Sequence, residues 1–323
     1  MDTLIEVKNL KMYFPVSSGI LWPRKTGEIR AVDDVSFSIA PGHTLGLVGE
    51  SGSGKTTVGL CILQLTRPTG GEVLYQGEEL SGMRGEQIRL MRRKMQMIFQ
   101  DPYGSLDPRT TASDIISEAF RIHRSPPRNE YQERIKELLD LVGLSLRQAN
   151  HYPHEFSAGE RQRLGIARAL AVNPEFIVCD EPVSALDVCI QSQILCLLQD
   201  LQSRLNLTYL FIAHDLAVVG YISERVGVLY RGRLLEIGSR ERIYRNPLHP
   251  YTRALLSAVP VPDRVAELQR KRITIKDEAP DSLSSPAGCN FYPVCPEGKT
   301  DCPEAKPVLE LKEPDHWVAC WKA

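Results

Sequence analysis

The feature that most constrains what this chain can fold into is the segment at residues 49–56, which reads GESGSGKT and fits the pattern G-x-x-x-x-G-K-[ST]. It directly follows the apolar run TLGLV at residues 44–48, as expected of a strand buried on both faces of a parallel sheet. A glycine-rich loop in this position points backbone N–H groups at phosphates, and the helix after it offers its positive end. The sequence therefore predicts an α/β fold with a nucleotide-phosphate site.

We predict that this loop binds ATP together with Mg²⁺. Lys55 is expected to reach the β- and γ-phosphates, and the hydroxyl group of Thr56 is expected to help hold the metal. The other expected nucleotide ligands in this segment are Gly49, Ser51, Gly52, Ser53, Gly54 and Thr57. A plain glycine-rich turn is the alternative, and the apolar strand before the loop argues against it.

Two more apolar runs end in polar residues. Residues 176–179 precede Asp180 and Glu181, and residues 209–213 precede His214. Because ligands gather at the carboxyl ends of strands in open α/β sheets, Asp180 is predicted to hold Mg²⁺ and Glu181 to orient the attacking water. The two carboxylates would also suit an ordinary helix start, and a structural role for His214 stays open from the residues alone.

A second anion site is predicted where a helix begins near residue 157. Ser157 and Glu160 have the spacing of a capping box, and the helical pattern continues after them. Gly159 is expected to leave the backbone open, so that the helix N-terminus and the Ser157 hydroxyl group can bind a phosphate. A plain helix start is the simpler interpretation.

Local patterns outline the other elements. Alternating apolar residues at 5–10 and 31–39 predict an antiparallel β edge, and residues 17–28 between them are expected to form a loop. Helical periodicity is clearest at residues 130–142 and 161–171, within a region that we interpret as an inserted helical subdomain.

Composition narrows the class of protein. A chain of 323 residues with 42% hydrophobic residues fits a packed main domain with an appendage. The near balance of 39 basic and 40 acidic residues gives no reason to expect nucleic acid as a ligand. No apolar run approaches the roughly 20 residues of a spanning helix, and no secretion signal is visible. The chain is expected to stay in the cytosol and to meet a membrane only through partner proteins.

The order of these motifs resembles that of the ABC ATPases over residues 5 to about 240. In chain order, the matching elements are the phosphate loop, Gln100 within IFQDP, SAGERQ at residues 157–162, Asp180 with Glu181, SALD at residues 184–187, and His214. The resemblance implies that Gln100 contacts the metal or the attacking water and that His214 contacts the γ-phosphate. With Glu181, these are the three expected catalytic residues. Adenine is expected to stack on Phe14, with Tyr13 as the alternative.

The resemblance also implies that two subunits pair head to tail. The phosphate loop of one subunit would then face the helix that begins at Ser157 in the other, and ATP would hold the pair together until it is hydrolysed. Ser157, Gly159 and Glu160 are accordingly expected to bind nucleotide, and Asp187 to lie across the dimer. Ala158 stands where ABC ATPases usually carry glycine.

The fold that the resemblance implies is an α/β P-loop NTPase (RecA-like) core with an antiparallel β edge. The ATPase core is expected at residues 1–100 and 165–240. The helical subdomain with the 157–162 segment is expected at residues 101–164, and a small cysteine-rich extension at residues 241–323.

Two further segments resemble the ATPases of oligopeptide and dipeptide importers. They are NPLHPYTR at residues 246–253 and QDPYGSLDP at residues 100–108. The chain is most similar to the second of two non-identical ATPase subunits in these importers. This implies a heterodimer with a second ABC ATPase, two transmembrane permease subunits, an extracytoplasmic solute-binding protein, and a place on the cytoplasmic face of the plasma membrane. Uptake of nickel or glutathione, or a soluble ABC ATPase outside transport, stays open.

Four of the eight cysteines crowd near the C-terminal end, with the spacing C-x5-C-x6-C-x17-C. They are Cys289, Cys295, Cys302 and Cys320. A cytosolic chain is not expected to keep them as disulfides. Four thiolates suit a [4Fe-4S] cluster or zinc, and the C-x2-C pairs of familiar zinc ribbons are absent. The resemblance to the peptide importers favours the cluster, with zinc or free thiols as alternatives.

Overall fold

The apolar runs of the sequence form the centre of the main sheet. The computed structural model describes residues 3–18, 24–259, 273 and 287–323. Within them the strands are β1 Ile5–Ser18, β2 Arg24–Ile39, β3 Thr44–Val48, β4 Gly70–Tyr75, β5 Glu78–Glu79, β6 Met95–Ile98, β7 Phe176–Asp180, β8 Thr208–Ala213, β9 Arg225–Tyr230, β10 Arg233–Ser239, β11 Glu310–Glu313 and β12 His316–Val318.

Ten α-helices lie in the described residues. They are α1 Lys55–Ile62, α2 Glu86–Lys94, α3 Pro102–Ser105, α4 Ala112–His123, α5 Tyr131–Leu141, α6 Ala158–Leu170, α7 Val188–Leu205, α8 Leu216–Ile222, α9 Arg240–Arg245 and α10 Pro250–Ala258. Short 3₁₀ helices occur at Arg128–Glu130, Leu146–Asn150, Pro153–Glu155 and Tyr292–Val294. None of these helices is long and apolar enough to cross a membrane.

Four parallel neighbours in the main sheet position the functional side chains. The eight strands lie in the order β11-β12-β10-β9-β3-β8-β7-β6, and β3, β8, β7 and β6 run parallel. Residues of β3, β7 and β8 are buried along the whole of each strand, as their continuous apolar sequences predict. The carboxyl ends of these four strands therefore meet at one edge, where the phosphate loop, His214, Asp180 with Glu181, and Gln100 follow them.

The core lies on both faces of this sheet. Alternate residues of each strand point to opposite faces, so Val178 and Ile212 pack with the antiparallel strands and α1, while Ile177 and Phe211 pack with the helices of the 101–170 region. Helices α5 and α6 lie where periodicity predicted them. The subdomain boundary that the sequence suggested at residues 164–165 falls inside α6.

The antiparallel edge forms a separate sheet with the order β2-β1-β4-β5. Its first two strands are longer than predicted, because β1 and β2 continue pairing as far as Ser18 opposite Arg24. The expectation of a loop over the whole of residues 17–28 is therefore wrong at both ends. Residues 19–23 of that predicted loop lie outside the described residues.

The C-terminal extension is built into the main sheet. β12 pairs antiparallel with β10, and Gly238 lies opposite His316. Glu236 and His316 are both completely buried, and His316 Nε2 lies 2.7 Å from Glu236 Oε1. The Glu236 carboxyl group also accepts the backbone N–H groups of Leu248 and His249, at 2.8 and 3.0 Å. These contacts join β10, β12 and the segment before α10 around one buried polar centre.

Candidate nucleotide-binding site

A cavity of about 670 Å³ opens at the carboxyl edge of the parallel strands. Most of its lining comes from the phosphate loop and from residues predicted to take part in catalysis. The lining residues are Ala31, Gly49, Glu50, Ser51, Gly52, Gly54, Lys55, Thr56, Thr57, Gln100, Glu181, His214 and Leu255. The structure thus brings together nearly the whole set of predicted phosphate and catalytic residues at one cavity.

Glycine is required at two positions of the loop. A Cβ atom at Gly54, where φ is 102°, would lie 2.0 Å from the carbonyl oxygen of Ala31. A Cβ atom at Gly49 would lie 2.1 Å from the carbonyl oxygen of Leu229. Since both contacts are with backbone atoms, neither can be relieved by turning a side chain, and the loop keeps its path only with glycine there.

Lys55 is folded back onto its own loop. Its Nζ atom donates to the carbonyl oxygens of Gly49 at 2.7 Å and Glu50 at 2.8 Å. Burial lowers the pKa of Lys55, and the negative charges of Glu181, Asp180 and Glu50 oppose that shift. The ammonium group is therefore held inside the loop, next to the position where phosphates would lie.

Thr56 and Asp180 supply a pair of oxygen ligands beside the loop. The Thr56 hydroxyl group donates to Asp180 Oδ1 at 3.0 Å, and Asp180 is only 4% exposed. Burial raises the pKa of Asp180 and the nearby charge of Glu181 adds to the rise, while the Thr56 hydrogen bond and Lys55 oppose it. A hydroxyl and a carboxylate in this arrangement fit Mg²⁺, which prefers oxygen ligands and would stabilise the buried negative charge.

The three predicted catalytic residues meet at one carboxylate. Glu181 Oε2 accepts the side-chain N–H of Gln100 at 3.0 Å and lies 3.3 Å from Nδ1 of His214. The Glu181 backbone has a φ of 44°, in the left-handed region that is unusual for a residue with a side chain. Such backbone strain, about 1–3 kcal/mol, is characteristic of functional sites, and here it turns the side chain toward Gln100 and His214.

The predicted second anion site lies outside this cavity. Ser157 forms the expected capping box with Glu160 at the start of α6, and hydrogen bonds from the Ser157 backbone N–H and hydroxyl group lower the pKa of Glu160. Gly159 does not leave an open backbone. It is buried, and a Cβ atom there would lie 2.7 Å from Cγ2 of Ile190. A close approach of α6 to α7 therefore requires glycine at this position.

Phe14 and Tyr13 occupy neighbouring positions on β1, and neither lines the cavity. The Tyr13 hydroxyl group donates to Asp33 Oδ1 at 2.6 Å, and burial with this contact raises the pKa of Tyr13 to about 12. The Phe14 ring is 40% exposed. Phe14 thus keeps a free aromatic surface, as a residue that stacks on adenine needs.

The four cysteines of the extension line one small cavity of about 20 Å³, together with His249, Phe291 and Trp321. Among the residues that the structure describes, however, no three His, Cys, Asp or Glu side chains are arranged to hold a metal ion. The structure therefore gathers these cysteines around one cavity, and in the described residues they are not arranged as ligands of a bound metal ion.

Ala31, Tyr251 and Leu255 belong to the site but were missed by sequence reasoning. Ala31 and Leu255 line the cavity, and the Tyr251 hydroxyl group contacts the phosphate loop. Leu255 and Tyr251 lie on α10, about 200 residues after the loop, and only the three-dimensional packing of the extension brings them there. In the sequence, only the resemblance at residues 246–253 marked this segment as functional, and it did not indicate that the segment lies beside the phosphate loop.

The phosphate loop, the Asp180–Thr56 pair and the Glu181 cluster at the end of parallel strands define a nucleotide-hydrolysing cassette of the P-loop class. The family model "ABC transporter" matches residues 32–184, and "Oligopeptide/dipeptide transporter, C-terminal region" matches residues 235–302.

Curated relatives match over almost the whole chain. The oligopeptide transport ATP-binding protein AppF of Bacillus subtilis is 50% identical over 320 residues, which is 99% of this chain and 97% of that protein. The oligopeptide transport ATP-binding protein OppF of Escherichia coli is 47% identical and covers 99% of this chain and 96% of its own length.

A solved structure has the same fold. The ATP-binding cassette MJ0796, in a dimeric post-hydrolysis state bound to ADP and Pi, matches with a TM-score of 0.64 and 30% identity over 73% of this chain and 99% of that one. The chain belongs to the ABC ATPases, in the family of oligopeptide transport ATP-binding proteins. The predicted fold class and the predicted ATPase activity are confirmed.

Proposed function

We propose that this chain hydrolyses ATP to drive the import of dipeptides and oligopeptides across the cytoplasmic membrane, from the inner face of that membrane. The observation that carries the proposal is the match to oligopeptide transport ATP-binding proteins over 99% of the chain, which includes the cassette and the extension. The extension is packed into the cassette's own sheet, so the two regions form one working unit.

The chemistry proposed for the site follows from its contacts. Lys55 would move from the Gly49 and Glu50 carbonyl groups to the β- and γ-phosphates, and the loop N–H groups would hold the same oxygens. Thr56, Asp180 and Gln100 would hold Mg²⁺, which supplies charge stabilisation for the phosphates when bound. Glu181 would accept a proton from the attacking water, while Gln100 and His214 keep its carboxylate in place.

A second subunit is part of the proposal. Ser157 is exposed and lies outside the chain's own nucleotide cavity, so another molecule can reach this helix N-terminus. A dimer in which each Ser157 helix faces the partner's phosphate loop would complete both sites. The dimeric state of MJ0796 supports the pairing of two subunits. We propose that the partner is a different ABC ATPase, as the resemblance to the importers implied.

We propose that the permease subunits contact a groove beside Gln100. This groove, of about 240 Å³, lies between the main sheet and α4, and its lining includes Leu65, Phe99, Ile122 and Arg168. Leu65, Phe99 and Ile122 are 39–54% exposed, which is unusual for large apolar side chains. A short permease helix bound in this groove would couple its movement to Gln100 and to the helical subdomain. We propose residues 101–164 as the bounds of that subdomain.

We further propose that a solute-binding protein delivers the peptide to the permease from outside the membrane.

Loss of peptide uptake is the expected result of disabling the phosphate loop. Cells that carry the Lys55→Ala chain are expected to take up a labelled tripeptide at least about tenfold more slowly, because the only ammonium group in the loop is removed. The matched control is Lys8→Ala, which changes an exposed lysine on β1. Unchanged tripeptide uptake with lost nickel or glutathione uptake would favour a related importer, and no change in any of them would contradict a role in transport.

We also propose a [4Fe-4S] cluster on the four cysteines. What supports it is the pattern of donors around the sulfur atoms: backbone N–H groups of Phe291 and Tyr292 contact Cys289, and that of Glu297 contacts Cys295. Lys299 N lies 3.4 Å from Cys302 Sγ. Burial raises the pKa of Cys289 and Cys295, and these hydrogen bonds oppose it. N–H groups aimed at sulfur stabilise thiolates and tune bound clusters.

Anaerobically purified protein is expected to be brown and to contain about four iron atoms per chain. Cys295→Ser should lose the colour and most of the iron, whereas Cys196→Ser, at an exposed cysteine of α7, should retain both. Metal analysis and the visible absorption spectrum decide the question. Zinc in place of iron would establish the alternative metal, and four freely titratable thiols without metal would contradict both sites.

A further inference from the structure

The extension reaches the phosphate loop directly through Tyr251. This residue lies in the first turn of α10, its ring is completely buried, and its hydroxyl oxygen accepts the backbone N–H of Glu50 at 3.1 Å. One turn later on the same helix, Leu255 forms part of the cavity wall. Helix α10 therefore contacts the nucleotide site at two places, although it lies outside the cassette motifs.

The hydrogen bond from Glu50 N–H to the Tyr251 hydroxyl oxygen holds the N–H side of the peptide group that joins Gly49 to Glu50. The other side of that peptide group is the carbonyl oxygen of Gly49, which accepts Lys55 Nζ at 2.7 Å. In the proposed movement of Lys55 to the phosphates, this contact from the carbonyl side would be lost. Tyr251 would then remain as a side chain that holds the first peptide of the loop in its orientation.

Tyr251 is itself fixed in position. Its backbone N–H donates to His249 Nδ1 at 3.0 Å, and burial lowers the pKa of His249 to about 4, which keeps this ring nitrogen free to accept. Its ring packs against those of Tyr230 and Phe291, with centroid distances of 4.7 and 5.3 Å. Burial raises the pKa of Tyr251 well above its usual value, so the phenol stays neutral. The hydroxyl oxygen is thus a rigid acceptor.

We infer that Tyr251 is a positioning residue for ATP, which holds the Gly49–Glu50 peptide so that the following N–H groups of the loop keep their phosphate-binding geometry. A pre-ordered loop binds its ligand with a smaller entropic cost than a loop that must be ordered on binding. The inference depends on the ATPase site alone. It requires neither peptide as the solute nor a metal on the cysteines.

The test compares Tyr251→Phe with Tyr209→Phe in the purified full-length chain. Each substitution removes one hydroxyl group from a fully buried tyrosine and keeps the ring, and the hydroxyl group of Tyr209 donates to Leu198 O, away from the loop. Calorimetric titration with MgATP is expected to show about five- to tenfold weaker binding for Tyr251→Phe, with an unchanged number of sites, because Glu50 N–H loses its partner. Tyr209→Phe is expected to bind MgATP as the unmodified chain does.

The same pair of variants separates positioning from general stability. Both should lower the thermal midpoint to a similar extent, since each loses one hydrogen bond made by the hydroxyl group of a buried tyrosine. In the assembled complex, Tyr251→Phe should raise the KM for ATP about five- to tenfold and leave kcat within about twofold. Equal MgATP affinity in Tyr251→Phe and the unmodified chain would overturn the inference, as would an equal loss of affinity in Tyr209→Phe.

Discussion

Replacing Glu181 with glutamine is expected to lower the rate of ATP hydrolysis at least about a hundredfold, because proton transfer by a positioned base contributes about 10²–10⁴ to such rates. The amide keeps the size of the side chain but cannot accept a proton from water. Gln100 and His214, which contact the Glu181 carboxylate at 3.0 and 3.3 Å, would still be present. ATP should therefore bind normally and remain unhydrolysed, so that the closed pair of subunits accumulates.

The matched control for this variant is Glu175→Gln. Glu175 directly precedes β7, at the opposite end of the strand from Glu181, and accepts the hydroxyl group of Tyr75 at 2.6 Å. Phosphate release and size-exclusion chromatography with ATP measure the two effects. Turnover near the unmodified rate in Glu181→Gln would remove Glu181 from its proposed role, and a similar loss in Glu175→Gln would point to damage of the strand.

The Ser157→Arg variant is expected to weaken ATP-driven association of the two ATPase subunits at least about tenfold and to stop solute uptake. An arginine at this position would add a long side chain where the proposed dimer places the partner's phosphates. It would also remove the helix cap, which costs about 1 kcal/mol. Association is best measured in the Glu181→Gln background, where ATP persists.

Ser145→Arg serves as the control for the lost cap. Ser145 is also exposed and also forms a capping box, with Gln148, in the same helical region. Both variants should therefore unfold at similar temperatures, and only Ser157→Arg should fail to associate. Normal association of Ser157→Arg would contradict a nucleotide pocket shared between subunits.

The strands that hold the site could be predicted because their signals are local. Residues 44–48, 176–179 and 209–213 are continuous apolar runs, and the polar residue after each run marks the carboxyl end of a strand. The contact of Gln100 with Glu181 could not be read from spacing. It depends on β6 pairing with β7 across about 80 residues of chain, and only the resemblance to a family supplied it.

The extension was the least predictable part. β11 has the sequence ELKE and is mostly exposed, so neither apolar alternation nor burial marks it as a strand. Gly159 illustrates a different limit, since a glycine at a helix start suits both an open anion site and a tight helix contact, and only the position of Ile190 separates the two. The role of Tyr251 likewise depends on where α10 packs.

The pairing of β12 with β10 has a consequence for biosynthesis. A nascent chain that has emerged from the ribosome as far as residue 259 already contains the phosphate loop, Glu181 and His214, yet the edge of β10 still lacks its neighbour and Glu236 still lacks His316. An uncovered strand edge pairs readily with other chains. Translation must therefore reach Val318 before the edge of β10 is covered and the cassette is protected from aggregation. A transcript cut short between residues 259 and 318 would yield a protein that contains every catalytic group but exposes an unpaired strand edge to other chains.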